Sequence, residues 1–174
     1  MKNHFYLIDT SAILSGKPLS FPDGEMITTP EIANEFQPGG RDYRTFQLLQ
    51  EKGLTLQHPT KQTMNHIQSK ASELGETNRL STTDISLLAL AFELMQNPEN
   101  KILLLTDDYA IQNLAAHLDI PFSTISQRGI TKKFKWTTRC PGCRKLFTDA
   151  PAICPICGTK TQFSSHKQGQ IKKS

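Results

Sequence analysis

No run of eighteen apolar residues interrupts this 174-residue sequence, so no membrane-spanning helix is expected. The opening, "MKNHFYLIDTSAILSG", holds an apolar run of about four residues before Asp9, too short and too polar for a secretory leader. A cytoplasmic protein is therefore expected. The five histidines, at 4, 58, 66, 117 and 166, are scattered, and no Ser–His–Asp or Cys–His set emerges. Cysteine is absent from residues 1–139, and acid is nearly absent from the end of the chain. Residues 128–174 carry eleven Lys and Arg against one Asp, a net +10. Residues 1–127 carry nine against fifteen Asp and Glu, a net −6. An acidic body with a strongly basic end implies a polyanion met through the C-terminal part.

All four cysteines fall in "CPGCRKLFTDAPAICPIC", as Cys140, Cys143, Cys154 and Cys157. Two C-x2-C pairs separated by ten residues have the spacing with which paired thiolates turn back onto one tetrahedral Zn²⁺. Two disulfides are the alternative, but nothing in the sequence indicates an oxidising compartment. Gly142 and Gly158 stand where knuckle turns tolerate positive φ. With four protein ligands the zinc is expected to be structural and closed to substrate.

Strand and helix signals alternate along the body. "FYLI" (5–8) reads as a buried strand ending in the turn "DTSA". "TTPEIANEF" reads as a helix with Thr29 as N-cap, Pro30 in its first turn, and Ile32, Ala33 and Phe36 on one side. "RDYRTFQLLQEKG" is a second helix closed by Gly53, followed by the strand-like "LTLQ" (54–57) and a polar helical stretch over 62–75. "STTDISLLALAFELMQN" is apolar almost all round and is expected to be a buried helix. "KILLLT" is a central strand, "DYAIQNLAAHL" a helix, and "IPFST" (120–124) a last short strand. The expectation is an α/β sandwich with a mostly parallel sheet.

Four places put a carboxylate at an element edge: Asp9, Glu35, Asp84 and the pair Asp107/Asp108. Ligands of parallel sheets gather at the carboxyl ends of strands. Converging carboxylates repel one another unless a cation neutralises them, and Mg²⁺ or Mn²⁺ suits such oxygen-rich sites. Each acid also has a local reading. Asp84 completes a capping box with Ser81, Asp107 or Asp108 caps the next helix, and Glu35 is a solvated helix residue like Glu31. Asp9, directly after a buried strand, is the hardest to explain without a partner. Strand alternation alone does not choose between Asp107 and Asp108.

The segments "YLIDTSAIL", "TTPEIANEF", "LSTTDISLLALAFEL" and "LLLTDDYAIQNLA", followed by the four-cysteine module, resemble a PIN-domain nuclease with an appended zinc ribbon. More narrowly they resemble the archaeal Nob-one endoribonucleases, over roughly residues 4–160. The resemblance implies a three-layer PIN-like sandwich and a small zinc ribbon. It further implies a metal-dependent endoribonuclease that cuts precursor small-subunit rRNA at its 3′ end and leaves a 3′-hydroxyl. Asp9, Glu35 and Asp84 match the family's acidic positions, and the pattern Thr, any residue, Asp maps to Thr106 and Asp108. Asp108 is thus favoured over Asp107. Asp9, Asp84 and Asp108 would hold Mg²⁺ or Mn²⁺, Glu35 would orient or deprotonate water, and Thr10, Ser11 and Thr106 would supply supporting hydroxyls. The glycine-rich "FQPGGRDYR" departs from the family's more charged loop.

The expected division is 1–127 nuclease domain, 128–136 basic linker, 137–163 zinc ribbon and 164–174 disordered basic tail. Lys132, Lys133, Lys135, Arg139, Arg144 and Lys145 are expected to meet phosphates and Trp136 to stack on a base, while Phe147 packs on the ribbon core. The expected partners are RNA and an assembling small ribosomal subunit, with no membrane and a monomeric state. The rival readings are a toxin-like PIN ribonuclease acting on mRNA or tRNA, against which the ribbon argues, and a non-catalytic RNA-binding assembly factor.

Overall fold

The apolar run around "FYLI" forms β1 (Asn3–Ile8), and "KILLL" forms β4 (Asn100–Leu105), paired with β1 along its whole length. The structure is a computed structural model describing residues 3–126, 129–130, 132–149 and 151–170. β2 (Glu25–Thr28) and β3 (Thr55–Leu56) extend the sheet beyond β1, and β5 (Phe122–Ser123) beyond β4, giving the order β3-β2-β1-β4-β5. Every neighbouring pair is parallel. Parallel pairing requires crossover connections. These carry α1 (Thr10–Leu14), α2 (Pro30–Ala33), α3 (Arg41–Glu51), α4 (Lys61–Glu73), α5 (Thr82–Met95) and α6 (Tyr109–His117). The result is the expected three-layer sandwich. β2 carried no expectation, because "EMIT" is only four residues long and stands apart from any longer apolar run.

The core runs through the sheet and α5. Leu7, Ile8, Leu104, Leu87, Leu88 and Leu90 are fully buried, and α5 is buried continuously from Ile85 to Ala91, as its all-round apolar sequence requires. Each such Leu stabilises the fold by about 1.5–3 kcal/mol relative to an exposed position. Among the described residues no helix is long and apolar enough to cross a membrane.

The C-terminal part differs from the expected linker and disordered tail. β6 (Lys132–Arg139) pairs antiparallel with β8 (Gln162–Gln170) and with β7 (Leu146–Phe147). The presumed linker and tail are thus partner strands through residue 170. The reason lies on β6, where Phe134 and Trp136 alternate with cations and pack on each other, and Trp136 meets Phe163 of β8. The register shifts once, between Lys133 and Phe134, as at a β-bulge. Residues 171–174 of the expected tail, and residues 128 and 131 of the expected linker, lie outside the described residues.

β6 docks on the body through close backbone contact. The Trp136 N–H donates to the Leu74 carbonyl at 2.8 Å. Gly75 (φ +72°) follows, and a Cβ there would lie 2.2 Å from the Trp136 carbonyl oxygen. Only glycine permits both the left-handed turn and this approach.

Candidate active site and cysteine knuckles

The carboxyl edge of the sheet collects the acids because β1 and β4 end there and α5 and α6 begin there. Asp9 follows β1 and caps α1, with 4% of its surface exposed. Its Oδ2 accepts from Ser11 Oγ at 2.5 Å and from Thr106 Oγ1 at 2.8 Å. Burial pushes the Asp9 carboxyl up from its ordinary value, and the charge of Asp84 pushes the same way, while the Ser11 and Thr106 bonds favour the charged form. The carboxylate is therefore fixed in direction by hydroxyls from two strand ends.

Asp84 does complete a capping box. Its Oδ2 accepts from Ser81 N at 2.7 Å and Ser81 Oγ at 2.8 Å, and its own N–H donates to Ser81 Oγ at 3.1 Å. Yet the local role does not exhaust it. Burial raises its pKa first, and the charges of Asp108 and Glu35 raise it further, so those acids stand close enough to be felt. Glu35 lies just past the short α2 rather than within it, in a tight turn in which its N–H donates to Ile32 O at 3.0 Å. Thr10 Oγ1 donates to Glu35 Oε2 at 2.6 Å, across 25 residues. Beside it opens a groove of about 390 Å³, lined by Thr10, Glu35, Phe36 and Tyr43 among others.

The adjacent aspartates separate cleanly. Asp107 Oδ1 accepts from the Ile125 N–H at 2.8 Å and the Ser126 N–H at 3.1 Å, tying down the segment after β5. Asp108 Oδ1 caps α6, accepting from Ala110 N at 2.6 Å and Ile111 N at 3.3 Å, and the Asp108 N–H donates to Thr106 Oγ1 at 3.0 Å. Asp108 is exposed, and its charge reaches Asp84. Thr106, fully buried, thus links Asp9 to the start of α6. Asp84 thus feels the charges of Glu35 and Asp108, and Asp9 that of Asp84, while Asp107 accepts from the loop after β5. Among the described residues no three of these carboxylates bring oxygens within 4.8 Å of one another.

The four cysteine sulfurs, in contrast, all lie within 4.8 Å of one another. Cys140 and Cys154 are buried and Cys143 and Cys157 exposed. The two knuckles share one hydrogen-bond pattern. Arg144 N donates to Cys140 O and Cys140 N to Lys145 O, as Gly158 N does to Cys154 O and Cys154 N to Thr159 O, each at 2.9 Å. The left-handed position after each pair is held by Arg144 (φ 64°) and Gly158 (φ 72°). Gly142 was expected to need positive φ and does not have it; a Cβ there would instead lie 2.7 Å from Thr159 Oγ1. Bonds from the Thr159 hydroxyl and backbone hold the Cys157 thiol down at about 6, so it carries thiolate character. Such a four-sulfur cluster fits a zinc ribbon.

The sequence pattern of the PIN domain of ribonuclease matches residues 6–94. Endoribonuclease Nob1 of Archaeoglobus fulgidus is 34% identical over 169 residues, which cover 97% of this chain and 96% of that protein. This chain belongs to the Nob1 endoribonuclease family. Nob1 of Pyrococcus abyssi is 31% identical over 164 residues, covering 93% of this chain and 94% of that protein. Ribonuclease VapC1 of Thermoplasma acidophilum is 32% identical over 153 residues, covering 88% and 74%. The chain is accordingly an endoribonuclease, and RNA is its substrate class. The PIN match takes in Asp9, Glu35 and Asp84 but stops before Asp108; the Nob1 matches run through nearly the whole chain.

Within this Nob1-family chain the cations expected to face RNA are unequal. Arg139, Arg144 and Lys145 are exposed, whereas Lys132, Lys133 and Lys135 are half-buried. Lys133 Nζ lies 3.5 Å from Asp119 Oδ1. Phe147, in β7, is half-buried. The Trp136 ring is also half-buried, and one face is covered by Arg79 at 4.2 Å, so that face is closed to a base. Sequence reading missed the residues that seat β6. Asn113 clamps the Phe134 backbone, donating to its carbonyl at 2.8 Å and accepting from its N–H at 2.7 Å. Asn113 Nδ2 also donates to Glu76 Oε1 at 2.6 Å, and Glu76 is fully buried. Glu31, read as a solvated residue, accepts from Ser86 Oγ at 3.0 Å. None of these partners is signalled locally, since they lie 21, 37 and 55 residues apart.

Proposed function

We propose that this chain cleaves precursor small-subunit rRNA at its 3′ end, on an assembling small ribosomal subunit, as a monomer. The observation that carries the reading is buried Asp9 at the carboxyl edge of the sheet, its oxygen turned by Ser11 and Thr106, with the charge of Asp84 felt at Asp9 and that of Asp108 at Asp84. The near full-length likeness to Nob1 endoribonucleases supports endonucleolytic cleavage of RNA. The division into a nuclease domain and a ribbon-bearing basic end belongs to the same proposal.

Asp9, Asp84 and Asp108 would hold Mg²⁺ or Mn²⁺. The donor set is all oxygen, which suits a hard ion that keeps several waters and takes few carboxylates directly. When bound, the ion neutralises the repulsion among the acids and polarises water and phosphate. Glu35, held by Thr10, orients the attacking water and takes its proton on a carboxylate oxygen. Ser11 and Thr106 keep Asp9 from turning away. Water attacks phosphorus in line, the bond to the 3′ oxygen breaks, and that oxygen leaves as a 3′-hydroxyl. The four cysteines would hold a structural Zn²⁺. Lys132, Lys133, Lys135, Arg139, Arg144 and Lys145 would contact phosphates, adding affinity that falls with salt.

The test is cleavage of an RNA spanning the 3′ junction, with Mg²⁺ or Mn²⁺ and with EDTA, followed by analysis of the new ends. Metal-dependent cutting at the junction with a 3′-hydroxyl is expected. A 2′,3′-cyclic phosphate would overturn the mechanism. Equal cutting of tRNA or mRNA would overturn the substrate, and binding without cutting would leave an assembly factor.

A further inference from the structure

The acidic body of the chain holds few cations, and one of them, Arg79, is held in place by a buried carboxylate and an indole ring. Arg79 lies in the turn between α4 and α5, two residues before Ser81, whose N–H and Oγ hold Asp84. Arg79 Nε is 3.3 Å from Glu76 Oε2, and its guanidinium lies 4.2 Å from the centre of the Trp136 ring. Glu76 is itself immobilised: it is fully buried, and its other oxygen accepts from Asn113 at 2.6 Å. Asn113 belongs to α6, the helix that Asp108 caps, and the charge of Asp108 is felt at Glu76. Among the described residues Glu76 Oε2 accepts no regular hydrogen bond; burial raises the Glu76 pKa, while Asn113, the Arg79 charge and Trp136 favour its charged form.

This arrangement spends only part of the guanidinium. The Arg79 side chain is 36% exposed, and among the described residues no acceptor meets its two Nη groups. An arginine serving only to neutralise Glu76 has no need to leave them open. Arginine carries five N–H donors in a planar fork that matches phosphate oxygens. Here one edge is anchored on a buried carboxylate and one face on an indole, so much of the ordering cost of binding is already met.

We propose that Arg79 is an RNA-phosphate contact beside the acidic cluster, oriented by Glu76 and Trp136 to take the backbone next to the cleaved bond. It rests on the reading of those acids as the cleavage site. On this view Trp136 acts as a platform for the arginine rather than for a base, and docking of β6 completes the contact.

The test compares Arg79→Gln and Arg79→Lys in the Asp108→Asn background, where bound RNA should stay intact. Binding of a single-stranded RNA spanning the 3′ junction is measured over a salt series, with thermal melting alongside. Arg79→Gln is expected to weaken binding several-fold and reduce the salt slope by about one, with a lower melting temperature because buried Glu76 loses its partner. Arg79→Lys keeps the charge and should keep the parental slope. Unchanged affinity and slope in Arg79→Gln would overturn the proposal. So would equal losses in both variants accompanied by lower melting, which would mark a purely structural pair. Cleavage by the otherwise unaltered chain is assayed in parallel: its absence would sink the reading of the acids, while the binding series still decides Arg79.

Discussion

At the carboxyl edge of the parallel sheet, charge is tied down by donors from neighbouring turns, whether buried as at Asp9, half-buried as at Asp84 or exposed as at Asp108. On the knuckles of the β6–β8 ribbon charge is displayed, while the β6 lysines are half-buried. Asp9 is held by two hydroxyls, Asp84 by a capping box and Asp108 by two amides. Arg139, Arg144 and Lys145 are exposed, and among the described residues they form no ion pair. Fixed, desolvated groups suit chemistry, because their geometry and protonation are set before substrate arrives. Solvated cations suit affinity, because each phosphate they meet releases counterions. On the proposed reading one chain separates cutting from holding, and the seam is the Glu76–Asn113–Phe134 contact.

Removing the knuckle should break the comparison most severely. Cys140 is fully buried among the four sulfurs, so Cys140→Ser should release bound zinc and unfold the ribbon, with RNA affinity down by about tenfold or more. Zinc content and gel-shift binding check this; full metal retention with normal binding would argue against a ribbon site. Charge reversal of Lys132, Lys133 and Lys135 to Glu should weaken RNA binding steeply. It should also flatten the salt slope by up to about two, at roughly 0.7 per lost phosphate contact. Lys133 should contribute least, since Asp119 already meets it. An unchanged slope would take β6 off the RNA surface.

Asp107→Ala sharpens the distinction between neighbours. It removes the acceptor for Ile125 and Ser126 and should cost about 1 kcal/mol of stability, while cleavage stays within a few-fold of the parent. The smallest effect concerns His117, whose Nε2 meets Phe134 O at 3.0 Å. Burial lowers its pKa from 6.5, with Lys133 and Lys135 adding to the shift and the Phe134 carbonyl and Asp119 opposing it. As pH falls below 6.5 the unfolded chain takes up that proton first, so stability present above this value is lost on acidification towards the folded pKa. His117→Gln should reduce the melting-temperature loss over that window by about one or two degrees. An identical loss in both proteins would assign the acid sensitivity elsewhere.

Much of this was legible where the signal is local. The α5 helix, the β1 and β4 strands, the caps at Ser81 and Asp108 and the knuckle spacing each follow from short-range pattern. The α2 helix was read too long because Glu35 and Phe36 continue it only as a tight turn. β8 was invisible because "QFSSHKQGQ" is nearly all exposed, and its strand state comes from pairing with β6 rather than from its own alternation. Glu76 and Asn113 carried no expectation, since their burial goes with contacts to β6, outside the local segment. The partners of Asp107 at 125 and 126 are encoded by no spacing within "TDDY".

The central claim is that the acids at the sheet edge cut the RNA that the basic end holds, and Asp108→Asn tests it most directly. The substitution keeps the helix cap and removes one negative charge beside Asp84. Single-turnover cleavage of an RNA spanning the 3′ junction should fall at least about 100-fold, while RNA affinity and its salt slope stay at the parental values. Cleavage by the mutant at the parental rate would contradict the account.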